Sequence, residues 1–436
     1  MNTTDEKKTD VIIIGAGFAG ITAGRELSNI GLSSIILESR DRIAGRTWTK
    51  DDNNIGMPIE MGGTWVHWAM PYVWSEIKRY DLPLYITPFA EESYWKTRNG
   101  VSSGSAQDLV DLLDNGMNQV LSQALEAFPT PHDPFPLTDL VHELDAKSID
   151  EVIQALDVSD EEKDVLNGMW ALHFNSDASR GGFTTALRWG ALANQDWKYL
   201  AEITERYKFV NGTQELLNAI HSESDAQLHL NTPVISIDES QDSVTVTTRD
   251  GEVYTAKHVI STVPINALKN IEFSGPFDPT SLDITREGQA SDGLKVWMRV
   301  KGQHKPFHCL GTSQDTLHWI QYENDLDGDS VLVAFAPKST NLEANDIEQV
   351  QAALNEYRPD LEVIAVDSHD WVADEYAQQT WTMFRPSQLT GDATQLLTEN
   401  SRLWLAGADY AHGWTSFIDG AIESGMRTAR KISKTS

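Results

Sequence analysis

The run Asp10-Val-Ile-Ile-Ile-Gly15-Ala-Gly17-Phe-Ala19-Gly20 constrains this chain more than any other stretch. Val11 to Ile14 read as a buried strand, the glycines as a tight turn, and Phe18 onward as the start of a helix. A second strand, Ile35-Ile-Leu37, ends on Glu38. This is the layout of a dinucleotide-binding turn. Gly15 permits the sharp turn, and Gly17, with Ala19 beside it, lets a pyrophosphate approach the backbone. Gly20 lets the helix pack on its strand. The helix N-terminus offers free N–H groups to the phosphates, and Glu38 would accept the hydroxyls of the adenosine ribose. Alone the pattern is weak, because such glycine turns also occur in domains that bind no nucleotide.

The residues after Glu38 strengthen the reading. Ser39, Arg40, Arg42, Gly45, Arg46 and Thr47 come directly after the second strand, where cofactor phosphates should lie, and cations there can pair with phosphate. The plainer alternative is a solvated charged turn, which the interposed Ile43 and Gly45 argue against. Further on, Glu60-Met-Gly62-Gly63-Thr64-Trp65 supplies a glycine pair that would let backbone lie against a flat ring.

These residues, with the C-terminal block Leu405-Ala-Gly407-Ala408-Asp409 through Trp414-Thr-Ser416-Phe417-Ile418 to Gly425, resemble the flavin-dependent amine oxidase family. That family contains monoamine oxidases, polyamine oxidases and bacterial nicotine-pathway amine oxidases. One departure is Ala44-Gly45, where the family usually shows two glycines before the arginine. The resemblance implies an α/β (α+β overall) fold. A Rossmann-like FAD-binding domain is expected over 9–80, 206–293 and 400–436, and a discontinuous substrate-binding domain of helices and mixed sheet over 81–205 and 294–399. It implies FAD contacts from Gly15, Gly17, Ala19, Gly20, Glu38, Ser39, Arg40, Gly45, Arg46, Thr47, Gly62, Gly63, Thr64 and Trp65. Backbone around Val234 is implied on the adenine side, and Gly407, Ala408, Asp409, Ser416, Phe417 and Ile418 in the closing strand and helix.

Composition bounds the rest. At 436 residues the chain suits two domains, and its single cysteine, Cys309, excludes an intramolecular disulfide framework. There is no run of about twenty apolar residues, and the segment Met1 to Lys8 lacks the apolar core of a signal peptide, so a cytoplasmic protein without a membrane partner is expected. The chain also stops near Ser436 without the anchoring tail of mitochondrial monoamine oxidases. Sixty-five acidic against 34 basic residues give a formal charge of -31, which excludes nucleic acid as a natural partner. Such a field would attract a cationic amine, or simply keep the protein soluble. Oligomeric state is not legible, and a homodimer stays open.

Hydrophobic spacing predicts helices over 105–128 and 148–173, a loop at Pro129, Pro131, Pro134 and Pro136, and largely helical structure from Asp81 to about Glu205. Strands are predicted at 227–230, 233–237, 244–248, 253–257 and 259–263, with Asp250-Gly251 as a hairpin turn. A second set covers 295–300, 317–322, 331–336 and 402–406.

On its strand pattern alone Lys295 reads as an edge lysine with its head in solvent. The resemblance reverses this, matching the family's lysine that holds a water beside flavin N5. Trp381 and Phe417 match the aromatic pair flanking the amine, where an apolar slot favours the neutral form. Many relatives have two tyrosines, so this larger, less polar pair points to an aryl or bulky amine. Trp414 reads either as pocket or as core. Thr380 stands where monoamine oxidases carry the cysteine bonded to flavin, so noncovalent FAD is implied. Cys309 reads as an inert thiol. The aromatic stretch Trp65-Val-His67-Trp68 to Trp74, with Thr380 to Pro386, is most similar to bacterial oxidases of nicotine breakdown. His67, Trp68, His173 and Arg188 are further pocket candidates. No metal or serine-hydrolase motif is present.

The expected activity is FAD-dependent oxidation of an aryl-alkyl or nicotine-like amine. Hydride leaves the α-carbon for flavin N5, and the resulting imine hydrolyses to a carbonyl compound. Oxygen, giving hydrogen peroxide, or an electron-carrier protein reoxidises the flavin. An L-amino acid oxidase, with Arg188 or Arg385 holding the carboxylate, is the alternative. A noncatalytic flavoprotein that binds a partner is the reading from a different class.

Overall fold

Strands buried on both faces need continuous apolar runs, and Val11, Ile12, Ile13 and Ile14 are all buried in the strand Lys7–Ile14. In the computed structural model, which describes residues 7–133, 135–343, 345–397 and 401–435, this strand lies parallel to both Ser34–Leu37 and Val253–Ser261. It is central to an eight-stranded sheet. Gln227–His229 extends one side in parallel. On the other, Val253–Ser261 runs antiparallel to Val244–Thr248 through its first half and parallel to Leu403–Leu405 through its last three residues. The sequence divides this strand in two at His258, but it is continuous because the two halves bond to different partners.

The first helix, Phe18–Asn29, and the closing helix, Ile418–Ile432, pack backbone to backbone. A Cβ on Gly425 would stand 2.4 Å from the Ala19 carbonyl oxygen.

The second sheet has seven strands, in the order Val363–Ser368, Leu294–Val300, Asp329–Ala336, Trp319–Leu326, Phe307–Leu310, Glu92–Thr97 and Gly100–Ser105. Its period-two alternation splits side chains between two cores. Leu294, Val296 and Met298 pack with Val350 and Leu354 of the helix Ile347–Asn355. Trp297, Val333 and Phe335 join the main core. Cys309 is buried on the side of Ile347–Asn355, and burial pushes its thiol far up.

The hairpin Glu92–Ser105 was not expected, since 81–205 reads as mainly helical. Alternating burial along Glu92–Thr97 and Gly100 at φ +113 account for it. The predicted helices are interrupted for local reasons. Asp160–Phe174 starts anew because Ser159 and Glu162 form a capping box, leaving Ile149–Ala155 as a separate helix. The 105–128 stretch divides into Ala106–Val120 and Ala124–Ala127. Among the described residues no helix is long and apolar enough to cross a membrane. Pro134 of the predicted loop, the expected boundary at 399/400, Ser436 and most of the segment Met1 to Lys8 lie outside the described residues.

Candidate active site

A single long cavity runs from the glycine turn, between the two sheets, to the strand bearing Lys295. At the turn, Gly15 has φ +100 and a Cβ on Gly20 would stand 2.0 Å from the Gly15 carbonyl oxygen. Gly20 is thus used for helix packing and does not line the cavity. Gly15, Gly17 and Ala19 do. The helix Phe18–Asn29 has no side-chain cap and no acid in its first turn, so its leading N–H groups and positive dipole end are free for an anion.

Glu38 is buried at the end of the second strand. Its Oε2 accepts the Ala16 N–H at 2.7 Å and its Oε1 the Arg40 N–H at 2.9 Å, which fixes the carboxylate and leaves further lone pairs toward the cavity. Ser39, Gly45 and Thr47 line the same region, as do two arginines held from behind. Arg40 bonds Asp374 at 2.5 Å. Arg46 bonds Asp409 at 2.5 Å and the Thr380 carbonyl at 2.7 Å. Arg42 instead lies over the Trp48 ring, outside the lining.

Farther along, Gly62, Gly63, Thr64 and Trp65 form one wall. A Cβ on Gly62 would meet the Arg46 carbonyl oxygen at 1.9 Å, so only glycine fits between that turn and the cavity. Gly407, Ala408, Ser416, Phe417 and Ile418 close the opposite side. A cavity with an anion-binding helix end, a buried ribose-type acceptor and glycine backbone beside a flat space fits FAD.

Two expected cofactor residues stand elsewhere. Val234 is buried within its sheet and does not line the cavity. Asp409 acts one step removed, binding Arg46 through Oδ1 while its Oδ2 accepts the Ile265 N–H and the Gln379 amide, each at 3.0 Å.

At the far end, Lys295, Phe335 and Trp319 form a cross-strand row, because Lys295 is paired with Phe335 and Phe335 with Trp319. All three line the cavity. Lys295 Nζ donates to Thr64 Oγ1 at 2.7 Å and to the Gly62 carbonyl at 3.1 Å, leaving one donor position. Burial lowers its pKa to about 7; Glu60 partly offsets this and Lys208 adds to it.

Trp381 meets Phe335 edge-on at 6.0 Å and donates its indole N–H to the His173 carbonyl at 2.9 Å. Phe417 packs on Trp189 at 4.9 Å and on Trp414 at 5.4 Å. Trp381 and Phe417 therefore belong to two aromatic groups lining one space. His173 lines it as well, and complete burial lowers its imidazole to about 4, so it is neutral at pH 7.

The other pocket candidates are not in the lining. His67 is buried against Trp68, Tyr199 and Tyr207, and Trp68 is exposed. Arg188 donates to the His412 carbonyl and Thr415 Oγ1. Trp414 is fully buried behind Phe417. Arg385 donates to the carbonyls of Gly288 and Glu287, so neither proposed carboxylate-binding arginine reaches the cavity.

Sequence reasoning missed Trp189, Asn175, Trp319, Gln321, Phe335 and Glu205, all in the lining. Strand parity with Lys295 could have found Phe335 and Trp319. Nothing local marks the others.

The model of the family described as flavin containing amine oxidoreductase matches residues 18–433. Pseudooxynicotine dehydrogenase of Pseudomonas sp is 32% identical over 97% of this chain and 86% of its own length. Nicotine dehydrogenase of Pseudomonas putida (strain DSM 28022 / S16) is 31% identical over 97% and 88%. The solved putrescine oxidase bound to putrescine superposes with a TM-score of 0.84 at 20% identity, covering 98% of this chain and 99% of that one. The chain belongs to the flavin containing amine oxidoreductases and is an FAD-dependent enzyme that oxidises small-molecule amines.

Proposed function

We propose that the substrate is an aryl-alkyl amine of nicotine-like type, bound as the neutral amine among Trp381, Phe417, Phe335, Trp319 and Trp189. The observation that carries this reading is the make-up of the far end of the cavity. It is walled by aromatic rings, and its one lysine among the described residues, Lys295, already gives two of its three donor positions to Thr64 and Gly62. An amino acid carboxylate would find neither Arg188 nor Arg385 there. The names of the two bacterial relatives support the same class.

FAD, when bound, supplies the acceptor for the hydride on the amine's α-carbon. The protein's part is to orient and desolvate. The aromatic walls exclude water and so favour the uncharged amine, the form with an available lone pair. Lys295, with its pKa near 7, holds or releases a proton at neutral pH, and its remaining donor position suits a water. The glycine turn, Glu38, Arg40, Arg46 and the 407–418 segment hold the cofactor without a covalent bond. The imine product hydrolyses to a carbonyl compound. The relatives' description as dehydrogenases favours a carrier protein over oxygen as electron acceptor, in a cytoplasmic setting.

The test is anaerobic bleaching of the purified flavoprotein by aryl-alkyl amines, nicotine-like amines and L-amino acids. Bleaching by the first two classes is expected. Bleaching by amino acids alone would overturn the proposal. Rapid recovery of the oxidised spectrum in air, without a carrier, would assign the acceptor to oxygen.

A further inference from the structure

Glu205 is the last residue of the helix Trp197–Glu205, and it lines the cavity beside Thr204. A helix C-terminus carries partial negative charge, so an acid there is disfavoured. A buried carboxylate without a partner is costlier still. Glu205, half-buried in the cavity wall, meets the first in full and the second in part. No described residue donates a hydrogen bond to its carboxylate or pairs with it, and burial alone raises its pKa to about 7. A stabilising role in the fold does not account for such a residue.

Its surroundings are fixed. Thr87 donates its N–H to the Arg206 carbonyl at 3.0 Å, and Val66 donates to the Tyr207 carbonyl at 2.9 Å. The Trp65 indole N–H reaches Thr87 Oγ1 at 3.2 Å. These bonds tie the chain at Glu205 to the segment of Trp65, which lines the cavity with it and lies 6.4 Å from the Phe335 ring. Nearby charges are committed elsewhere: Arg206 lies over Phe89, Lys208 pairs with Glu323, and Glu202 faces His67. The cations in the lining are engaged too, Lys295 by Thr64 and Gly62, Arg40 by Asp374 and Arg46 by Asp409. The carboxyl is left with the ligand as its partner.

We propose that Glu205 receives a second basic nitrogen of the substrate, distinct from the one beside the oxidised carbon, so that the enzyme selects amines bearing two basic nitrogens. This rests on the amine reading above. The second nitrogen is either an aromatic, pyridine-type acceptor or an ammonium, and both are met by one carboxyl group.

Binding is measured by calorimetry on the reduced holoenzyme, which takes up amine without turnover, using phenylbutylamine, the matching pyridylbutylamine and the matching diamine. Wild type is expected to bind at least one nitrogen-bearing counterpart about tenfold or more tightly than the phenyl compound, the scale of one charge-assisted hydrogen bond. Glu205→Leu should abolish that preference while retaining bound flavin. Glu205→Gln separates the sources, because its amide still donates to a pyridine nitrogen but carries no charge for an ammonium. Equal binding of all three amines by wild type, or an unchanged preference in Glu205→Leu, overturns the proposal. Failure of every amine to bleach the oxidised enzyme would instead refute the amine reading itself, and is seen separately.

Discussion

Replacing Lys295 by Met removes an ammonium that the fold holds against its solvation preference. In the unfolded chain this lysine titrates near 10.5, and in the folded protein near 7. Above 10.5 it is neutral in both states and burial carries no ionic penalty. As pH falls below 10.5, the unfolded chain binds a proton that the folded chain does not, so wild type loses stability until about pH 7, below which both states are charged. At about 1.4 kcal/mol per pH unit, the full penalty is about 5 kcal/mol, and about 2 kcal/mol of it is present at about pH 9. The stability gap between Lys295→Met and wild type should therefore move by about 3 kcal/mol in the variant's favour between about pH 9 and about pH 6. Loss of the bonds to Thr64 and Gly62 shifts the variant by a nearly constant amount and cancels in this comparison. Urea unfolding at the two pH values, with FAD at equal concentration, measures the gap. An unchanged gap would refute the claim that Lys295 is held near neutrality by burial.

Gly62→Ala should weaken FAD binding by about tenfold or more, because its Cβ overlaps the Arg46 carbonyl oxygen and either the turn or the arginine must shift; FAD titration of the apoprotein reads this. Acid precipitation of the holoenzyme should release all its flavin to the supernatant, since the Thr380 hydroxyl, held by Ser291 and Asn175, offers no thiol for attachment. Glu76→Ala should cost about 1.5–3 kcal/mol in urea unfolding, because the fully buried Arg25 guanidinium loses both Glu76 oxygens, each at 2.7 Å, and keeps Glu26 at 3.0 Å and the Tyr80 hydroxyl at 3.1 Å.

The turn at Gly15 and the acid at Glu38 were legible because their chemistry lies within a short segment of chain. Backbone conformation, helix start and ribose acceptor are fixed by neighbours in sequence. The Lys295 strand was legible in part, since alternation gives which residues share a face but not which face meets the cavity. Trp189 and Glu205 were not legible, because a helix residue enters the lining only through the packing of its helix. Arg188 misled for the complementary reason: a cation in an apolar helix invites a ligand, yet its guanidinium is turned to the His412 carbonyl and Thr415 Oγ1, outside the cavity lining. Val234 fell outside the lining by its place in the sheet, a matter of register rather than composition.

The strand Val253–Ser261 bonds on one side to Lys7–Ile14 and at its end to Leu403–Leu405. During synthesis the glycine turn therefore leaves the ribosome long before the segment that closes the cavity around it. Until the 403–432 segment emerges, the first helix lacks the Ile418–Ile432 surface against which Ala19 packs. Nascent chains should consequently fail to retain flavin until the 403–432 segment has emerged. Cofactor capture then becomes a checkpoint on synthesis of that closing segment, and a chain stalled before Leu403 is exposed to proteolysis in a way that a chain carrying the segment is not.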